Sequence, residues 1–303
     1  MHRKIKIILN PMADMGNAWR VARDLRSITE KHGGIEWSGT VYPGHAIDLA
    51  KNSEGCDMVI AMGGDGTVHE VMNGLMQIPE TNRPILGVVP VGSGNDFGHG
   101  IGASTIPTEA LTRAINGEAA TVDLGLMTDG DGRKEYFDNT LGIGFGATVT
   151  IRSHKLPLLR GFLMYLTAVL QTIAIDHNPI KMQIESDGEK WEQSVIYLIL
   201  CNGPREGGGF LVAPEAKIDD GIFHYAMITN VSRLMMLRIV PEVMKGTHGR
   251  FKQVKMGTCK KFSISADRPL YIHADGEIFS GPGTDIRKVS FEILPNALRV
   301  VRG

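Results

Sequence analysis

Three stretches of this 303-residue chain combine residue types that chemistry uses. Gly63-Gly64-Asp65-Gly66-Thr67 lies between an apolar run, Met58 to Met62, and a segment of helical spacing, Val68 to Leu75. Its glycines permit positive φ and let a ligand rest on the backbone without Cβ atoms. The N–H groups of such a turn and of the helix start suit phosphate. Asp65 would repel phosphate unless a divalent cation bridges them, or unless its carboxylate orders the loop through backbone bonds. Asp275-Gly276-Glu277 follows a strand-like run, Leu270 to Ala274. Carboxylates two residues apart on an extended chain share a face. That suits a general base next to a second acid on metal or water; the alternative is a solvated turn. Asp219-Asp220-Gly221 could be a hard-cation loop of carboxylate and backbone carbonyls, or an ordinary Asp-Gly turn.

These stretches need elements to hold them. Strand patterns at residues 4–9, 35–41, 58–62 and 85–91 alternate with helical patterns that begin near Asn17, Pro43-Gly44, Val68 and Pro107. Such alternation implies a parallel sheet with helices on both faces, and ligands of these sheets sit beyond the carboxyl ends of the strands. The loops 10–16, 63–67 and 92–96 fall on that edge. Thr40 and Ser93 are hydroxyl donors at strand ends, and Asn95 and Asp96 read as turn residues. After about residue 120 strand-like runs dominate: 122–127, 135–140, 181–185, 194–201, 222–228, 262–266, 270–274 and 289–294. Asp187-Gly188 is a hairpin signal. Helical stretches Leu158 to Ile175 and Val231 to Lys245 interrupt an expected antiparallel β-sandwich. The division is therefore 1–120 and 121–295, with a short strand in 296–303 as a candidate to return to the first domain.

Composition narrows the classes. A net charge of −1 gives no global field to recruit nucleic acid. Cys56, Cys201 and Cys259 show no paired spacing, which fits reduced thiols in a cytoplasmic protein better than disulfides or zinc. No apolar run is long enough for a membrane-spanning helix, so lipid contact is expected to be peripheral.

The motifs together resemble the diacylglycerol kinase catalytic family, in particular its soluble bacterial lipid kinases, over nearly the whole chain. Asn10-Pro11 with Gly16 is similar to its N-P-x-x-G segment. Gly63 to Gly74 matches G-G-D-G-T-x-x-E-V-x-N-G. Pro90 to Phe97 resembles P-x-G-[TS]-x-N-D-[FL]. Phe137-Asp138-Asn139 with Gly142 and Gly144 resembles a further glycine segment, Pro214 to Gly221 resembles P-x-A-x-x-D-D-G, and Asp275 to Glu277 resembles D-G-E.

The resemblance implies an N-terminal α/β domain like that of NAD kinases, a C-terminal β-sandwich, and an active site in the cleft between them. It implies ATP and Mg²⁺ as cofactors. Nucleotide contacts fall on Asn10, Thr40, Gly63, Gly64, Asp65, Gly66, Thr67, Val68, His69, Ser93 and Asn95. Glu277 becomes the proton acceptor, with Asp275 and Asp65 as further catalytic acids. A structural Mg²⁺ falls on the Lys217 carbonyl, Asp220 and the Ile222 carbonyl. Many relatives carry a lysine where Asn17 stands; Arg20, Lys155 and Arg160 are candidate replacements.

The expected activity is transfer of phosphate to the hydroxyl of a membrane lipid, diacylglycerol first. A sphingoid base, ceramide or phosphatidylglycerol is the closest alternative, and a non-catalytic nucleotide- or lipid-binding protein is the alternative of another class. The expected location is the cytoplasm, with transient contact at the inner face of the membrane and a homodimer as an open option.

Overall fold

The computed structural model describes residues 3–33, 35–156, 159 and 161–303. The chain divides into two compact units, Met1–Val122 with Asn296–Gly303, and Asp123–Pro295.

The first unit runs β1 (Ile5–Leu9), α1 (Asn17–His32), β2 (Ile35–Gly39), α2 (His45–Lys51), β3 (Met58–Gly63), α3 (Asp65–Leu75), β4 (Ile85–Pro90), α4 (Asp96–Gly100) and α5 (Pro107–Asn116), then enters β5 (Ala119–Asp129). Strand β1 lies between β2 and β3, and β4 continues on the far side of β3, all parallel. The chain returns at Val300, which pairs in parallel with Leu86.

Alternation decides which helix covers which face. Ile5, Ile7 and Leu9 pack with Met58, Ile60 and Met62 against Ala18, Ala22 and Leu25 of α1 and Leu111 and Ala114 of α5. The intervening Ile8, Val59, Ala61, Leu86 and Val88 are equally buried and face α2 and α3. Lys6 marks that side, since its Nζ reaches the Leu49 carbonyl of α2 at 3.1 Å. Burial on both faces is why these strands read as continuous apolar runs, and each buried Ile or Val contributes about 1.5–3 kcal/mol.

The second unit takes up β5 and continues β6 (Lys134–Phe137), β7 (Thr140–Gly144), α6 (Phe145–Ser153), α7 (Gly161–Ile175), β8 (Ile180–Ser186), β9 (Glu189–Cys201), β10 (Phe223–Thr229), α8 (Arg233–Lys245), β11 (Val254–Cys259), β12 (Lys261–Ala266), β13 (Ile272–Ala274), β14 (Glu277–Ser280) and β15 (Lys288–Val301). Its described pairings are antiparallel. Strand β9 is long enough to change partner: Glu189 to Val195 pair with β8, and Tyr197 to Cys201 pair with β7. Met127, Phe137, Leu198, Phe223, Phe262 and Phe291 belong to one core between the strands. A second core packs α6, α7 and α8 against the other face of β9 and β10 through Ile199, Cys201 and Ala226.

Several expectations change in detail. The run 135–140 is two strands broken at Asp138-Asn139, and 289–301 is one strand with a positive-φ residue, Asn296, inside it. Helix α6 has no amphipathic signal because it is buried on most sides. Leu158 and Arg160 lie outside the described residues.

Candidate active site

In the first unit the expected loops gather at the carboxyl edge of the sheet. Asn10 follows β1 with its N–H on the Met62 carbonyl, and the Thr40 N–H bonds the Leu9 carbonyl. Gly64 is extended, and Asp65 opens α3. The first N–H groups of a helix have no partner within it, so this turn presents donors and the positive end of the helix dipole.

The glycines are there for close approach. A Cβ on Gly92 would lie 2.5 Å from the Gly64 Cα, and one on Gly63 would lie 2.3 Å from the Thr67 hydroxyl. The two loops are thus in backbone contact, and side chains lock them. Asp65 Oδ1 accepts from the Asp96 N–H at 2.7 Å. Asn95, at φ 51°, accepts from the Gly92 N–H at 3.0 Å and donates to the Gly92 carbonyl at 2.8 Å. Asp65 therefore orders a loop, though the loop is the neighbouring one rather than its own.

The remaining motif residues hold the frame. Glu70 accepts from the Gly44 and Ala46 N–H groups at 2.8 and 3.2 Å, capping α2. A Cβ on Gly74 would strike the Ile47 carbonyl at 2.4 Å, so glycine is required where α2 crosses α3. Val68 and His69 are buried, with His69 Nε2 3.3 Å from Asn73 Nδ2. The Thr67 hydroxyl accepts from Asn10 Nδ2 at 3.3 Å. Ser93 is exposed, and Gly64 to Gly66 are half-exposed. Of the other expected nucleotide contacts, Asn10, Thr40 and Asn95 are half-exposed too, while Gly63, Thr67, Val68 and His69 are buried. Asn17 donates to Asp14 at 3.1 Å; Arg20 and Lys155 are exposed.

In the second unit the acidic pair is built differently from the sequence expectation. Asp275 and Gly276 have φ of 50° and 85° and form the two-residue turn between β13 and β14, where Ala274 faces Glu277. Positive φ at both positions is the hairpin turn that Asp-Gly favours. The two acids are therefore not neighbours on one extended strand and do not share its face. Asp275 is buried. Its Oδ1 accepts from the Asn139 and Thr140 N–H groups at 3.0 and 2.9 Å, and its Oδ2 from the Asp138 N–H at 3.0 Å. This carboxylate fixes the hairpin to the start of β7. Glu277, at the head of β14, is exposed.

The loop expected to hold a cation is organised from below. Buried Asp123 accepts from the Gly221 N–H at 2.6 Å. Asp220 accepts from the Ile222 N–H at 3.3 Å, and its other oxygen lies 3.3 Å from His224 Nε2. No cluster of three or more His, Cys, Asp or Glu side chains suited to a metal occurs among the described residues. The Lys217 and Ile222 carbonyls with Asp220 remain an all-oxygen donor set, which is the chemistry Mg²⁺ takes.

One polar group had no local signal. Glu206, buried ahead of three glycines, accepts from the Tyr197 hydroxyl at 2.9 Å and lies 3.0 Å from His273 Nε2. Burial pushes Glu206 up; the adjacent His273 and the hydrogen bonds of His273, Tyr197 and Tyr165 outweigh it and hold the carboxyl below its ordinary range. Burial first, with Glu206 adding to it, raises the Tyr197 phenol well above its usual value. A Cβ on Gly142 would lie 2.1 Å from His273 Nε2, and one on Gly146 2.5 Å from the Tyr197 ring, so two glycines leave this cluster its room.

The comparisons agree with this architecture. Residues 4–127 match the diacylglycerol kinase catalytic domain, and residues 139–302 match the YegS C-terminal NAD kinase beta sandwich-like domain. A Chromohalobacter salexigens protein named "Probable lipid kinase YegS-like" is 37% identical over 249 residues, 80% of this chain and 76% of its own. A Mycobacterium tuberculosis protein named diacylglycerol kinase is 28% identical over 307 residues, 99% of this chain and 95% of its own. The fold is that of a crystal structure of a diacylglycerol kinase from Bacillus anthracis str. Sterne, with a TM-score of 0.74 at 20% identity over 99% of this chain and 97% of that one. With both halves matched in order and a relative this similar across most of its length, the chain belongs to the diacylglycerol kinase family and is a lipid kinase.

Proposed function

We propose that the protein moves the γ-phosphate of ATP to the hydroxyl of a membrane lipid, with diacylglycerol as the acceptor. The observation that carries the reading is the contrast between the two acids of the hairpin. Asp275 is committed to three backbone N–H groups, while Glu277 stands exposed on the hairpin so fixed. A positioned carboxylate of this kind takes the proton from the attacking alcohol. The glycine turn supplies the other requirement of phosphoryl transfer, fixed donors for phosphate oxygens. Its outward groups, Gly64, Gly66 and Ser93, bind the nucleotide; Asp65 and Asn95 keep the two loops in register.

Asp220 with the Lys217 and Ile222 carbonyls would hold a Mg²⁺ that braces the loop ahead of β10. Mg²⁺ arriving with ATP would supply charge neutralisation on the phosphates. Contact with a bilayer is supported by large apolar side chains exposed around the sheet edge of the first unit: Met12, Met15 and Trp19 by β1 and α1, and Val41 and Tyr42 after β2. No described helix is long and apolar enough to cross a membrane.

The test is thin-layer separation of lipids after incubation with labelled ATP and a panel of diacylglycerol, sphingoid base, ceramide and phosphatidylglycerol. Label is expected in phosphatidic acid. Glu277→Gln is expected to lower the rate about 10²–10⁴-fold with unchanged thermal stability. Full activity in that variant would remove Glu277 as the base, and label in another lipid would reassign the acceptor.

A further inference from the structure

We infer that His273 and Glu206 are positioning residues for phosphoryl transfer: together they hold the β13–β14 hairpin, and with it Glu277, against the layer behind the sheet. The inference rests on the reading of Glu277 as the base and adds two residues that act through it.

The hairpin needs such a hold. Strand β14 ends the described strand order, with β13 as its neighbour, so the ladder reaches Glu277 through β13. That strand is three residues long and pairs with β7 through Ile272, His273 and Ala274. Its register with β14 shifts between Ile272 and His273, and an irregularity of this kind interrupts the ladder. Asp275 ties the tip to the amides of residues 138–140, at the start of β7. Both connections run to β7. Rotation about that line is left for side chains on the two faces to resist.

His273 supplies the connection out of the sheet. Ile272 and Ala274 belong to the core between the strands, so the side chain between them points to the opposite face. There Glu206 Oε1 lies 3.0 Å from His273 Nε2. Glu206 is itself held: its other oxygen accepts from the Tyr197 hydroxyl of β9 at 2.9 Å. Its backbone exchanges hydrogen bonds of 2.8 and 3.0 Å with Phe210 across Gly207-Gly208-Gly209. The preceding Arg205 carbonyl accepts from Asn139 Nδ2 at 2.9 Å, and the Asn139 N–H is one that Asp275 binds. One loop thus braces the hairpin at His273 and, through Asn139, at its anchor.

The room made for the ring is an independent observation. A Cβ on Gly142, inside β7, would lie 2.1 Å from His273 Nε2, and one on Gly146, in α6, 3.2 Å from the same atom. Glycine inside a strand or helix lowers stability. His273 and Glu206 are both buried, and apolar residues in place of such a pair are often as stable. What the pair gives is a single geometry. His273 Nδ1 has no hydrogen-bond partner among the described residues, so the ring takes its orientation from Glu206 through Nε2.

The test is a mutant cycle on the full-length chain, read as kcat and as KM for diacylglycerol in mixed micelles and for ATP, well below each melting temperature. His273→Met removes the ring nitrogens; His273→Gln returns a donor near Nε2. His273→Met is expected to lower kcat about tenfold with both KM values within about twofold, and His273→Gln to recover most of the loss. In a Glu277→Gln background the same His273→Met change is expected to cost less than about twofold, because a residue acting through Glu277 has no base left to place. Glu206→Gln, which keeps an oxygen for one of its two donors, carries the same cycle if His273→Met does not fold. An equal loss in both backgrounds, or wild-type kcat in a folded His273→Met, would overturn the inference. Hydrogen exchange at the Glu277 and Ile278 amides separates this from the base assignment. Faster exchange in His273→Met beside a fully active Glu277→Gln would keep the hold on the hairpin and remove Glu277 as base. Unchanged exchange would overturn the hold.

Discussion

Asp275→Asn separates a supporting role from a chemical one, and its size can be worked from the hydrogen bonds. Asparagine tolerates the left-handed backbone at position 275, where φ is 50°, so the substitution removes only the carboxylate. The new carbonyl oxygen can keep the bonds from Asn139 and Thr140, now at 3.0 and 2.9 Å. The new NH₂ group then faces the Asp138 N–H at 3.0 Å, donor against donor. The lost bond to a carboxylate is worth about 1.5–3 kcal/mol, and the two retained bonds each weaken by about 0.5–1 kcal/mol on becoming neutral. The sum is about 4 kcal/mol, or roughly 10 °C in melting temperature for a unit of this size. Differential scanning calorimetry reads the first effect. Hydrogen exchange at the Asp138, Asn139 and Thr140 amides, expected to accelerate, locates it. Wild-type melting with unchanged exchange at those amides and lost activity would refute the argument and place Asp275 in the chemistry.

Three more outcomes follow from the geometry. Gly92→Ala puts a methyl 2.5 Å from the Gly64 Cα; it should separate the two phosphate loops, cost about 1–3 kcal/mol of stability and raise the ATP KM, which steady-state kinetics with saturating lipid would detect. Because the folded protein holds Glu206 below its ordinary range, this acid contributes stability above the unfolded carboxylate value and loses it as pH falls through the lowered folded value. Glu206→Gln should therefore melt below wild type at pH 7, with the gap closing on acidification toward and below the carboxylate range; a gap that widens in acid would contradict the assignment. Millimolar Mg²⁺ should raise the melting temperature of the wild type and not of Asp220→Ala; equal shifts would place the ion elsewhere.

Much of the alternating half of the fold was legible because β1, β3 and β4 are buried on both faces and α1 and α5 on one, so period and length identify them. The contact between the two glycine loops was legible for a related reason: glycine density marks close backbone approach, as between Gly64 and Gly92. What local reading missed is long-range. The bonds of Asp275 reach back to residues 138–140, and nothing within a few residues of Asp275 announces them, so spacing suggested a strand pair where a hairpin turn exists. The partner of Asp65 is the amide of Asp96, across two elements. Glu206 and His273 meet only because β9, β13 and α6 converge. The acid before Gly207-Gly208-Gly209 was the one available hint, since a charged residue in a glycine run must answer to something outside its own segment.

The return of residues 296–303 to the first unit has a bearing on how the chain is made. Leu298, Val300 and Val301 are buried there, and Arg83 donates to the Ala297 carbonyl at 2.8 Å. During synthesis the β4 margin of the first unit stays incomplete until all of Asp123–Pro295 has left the ribosome. The last residues of the first unit are therefore made only after the whole of the second. A nascent chain stalled inside that unit would expose an unfinished parallel sheet, which is a natural target for a holding chaperone.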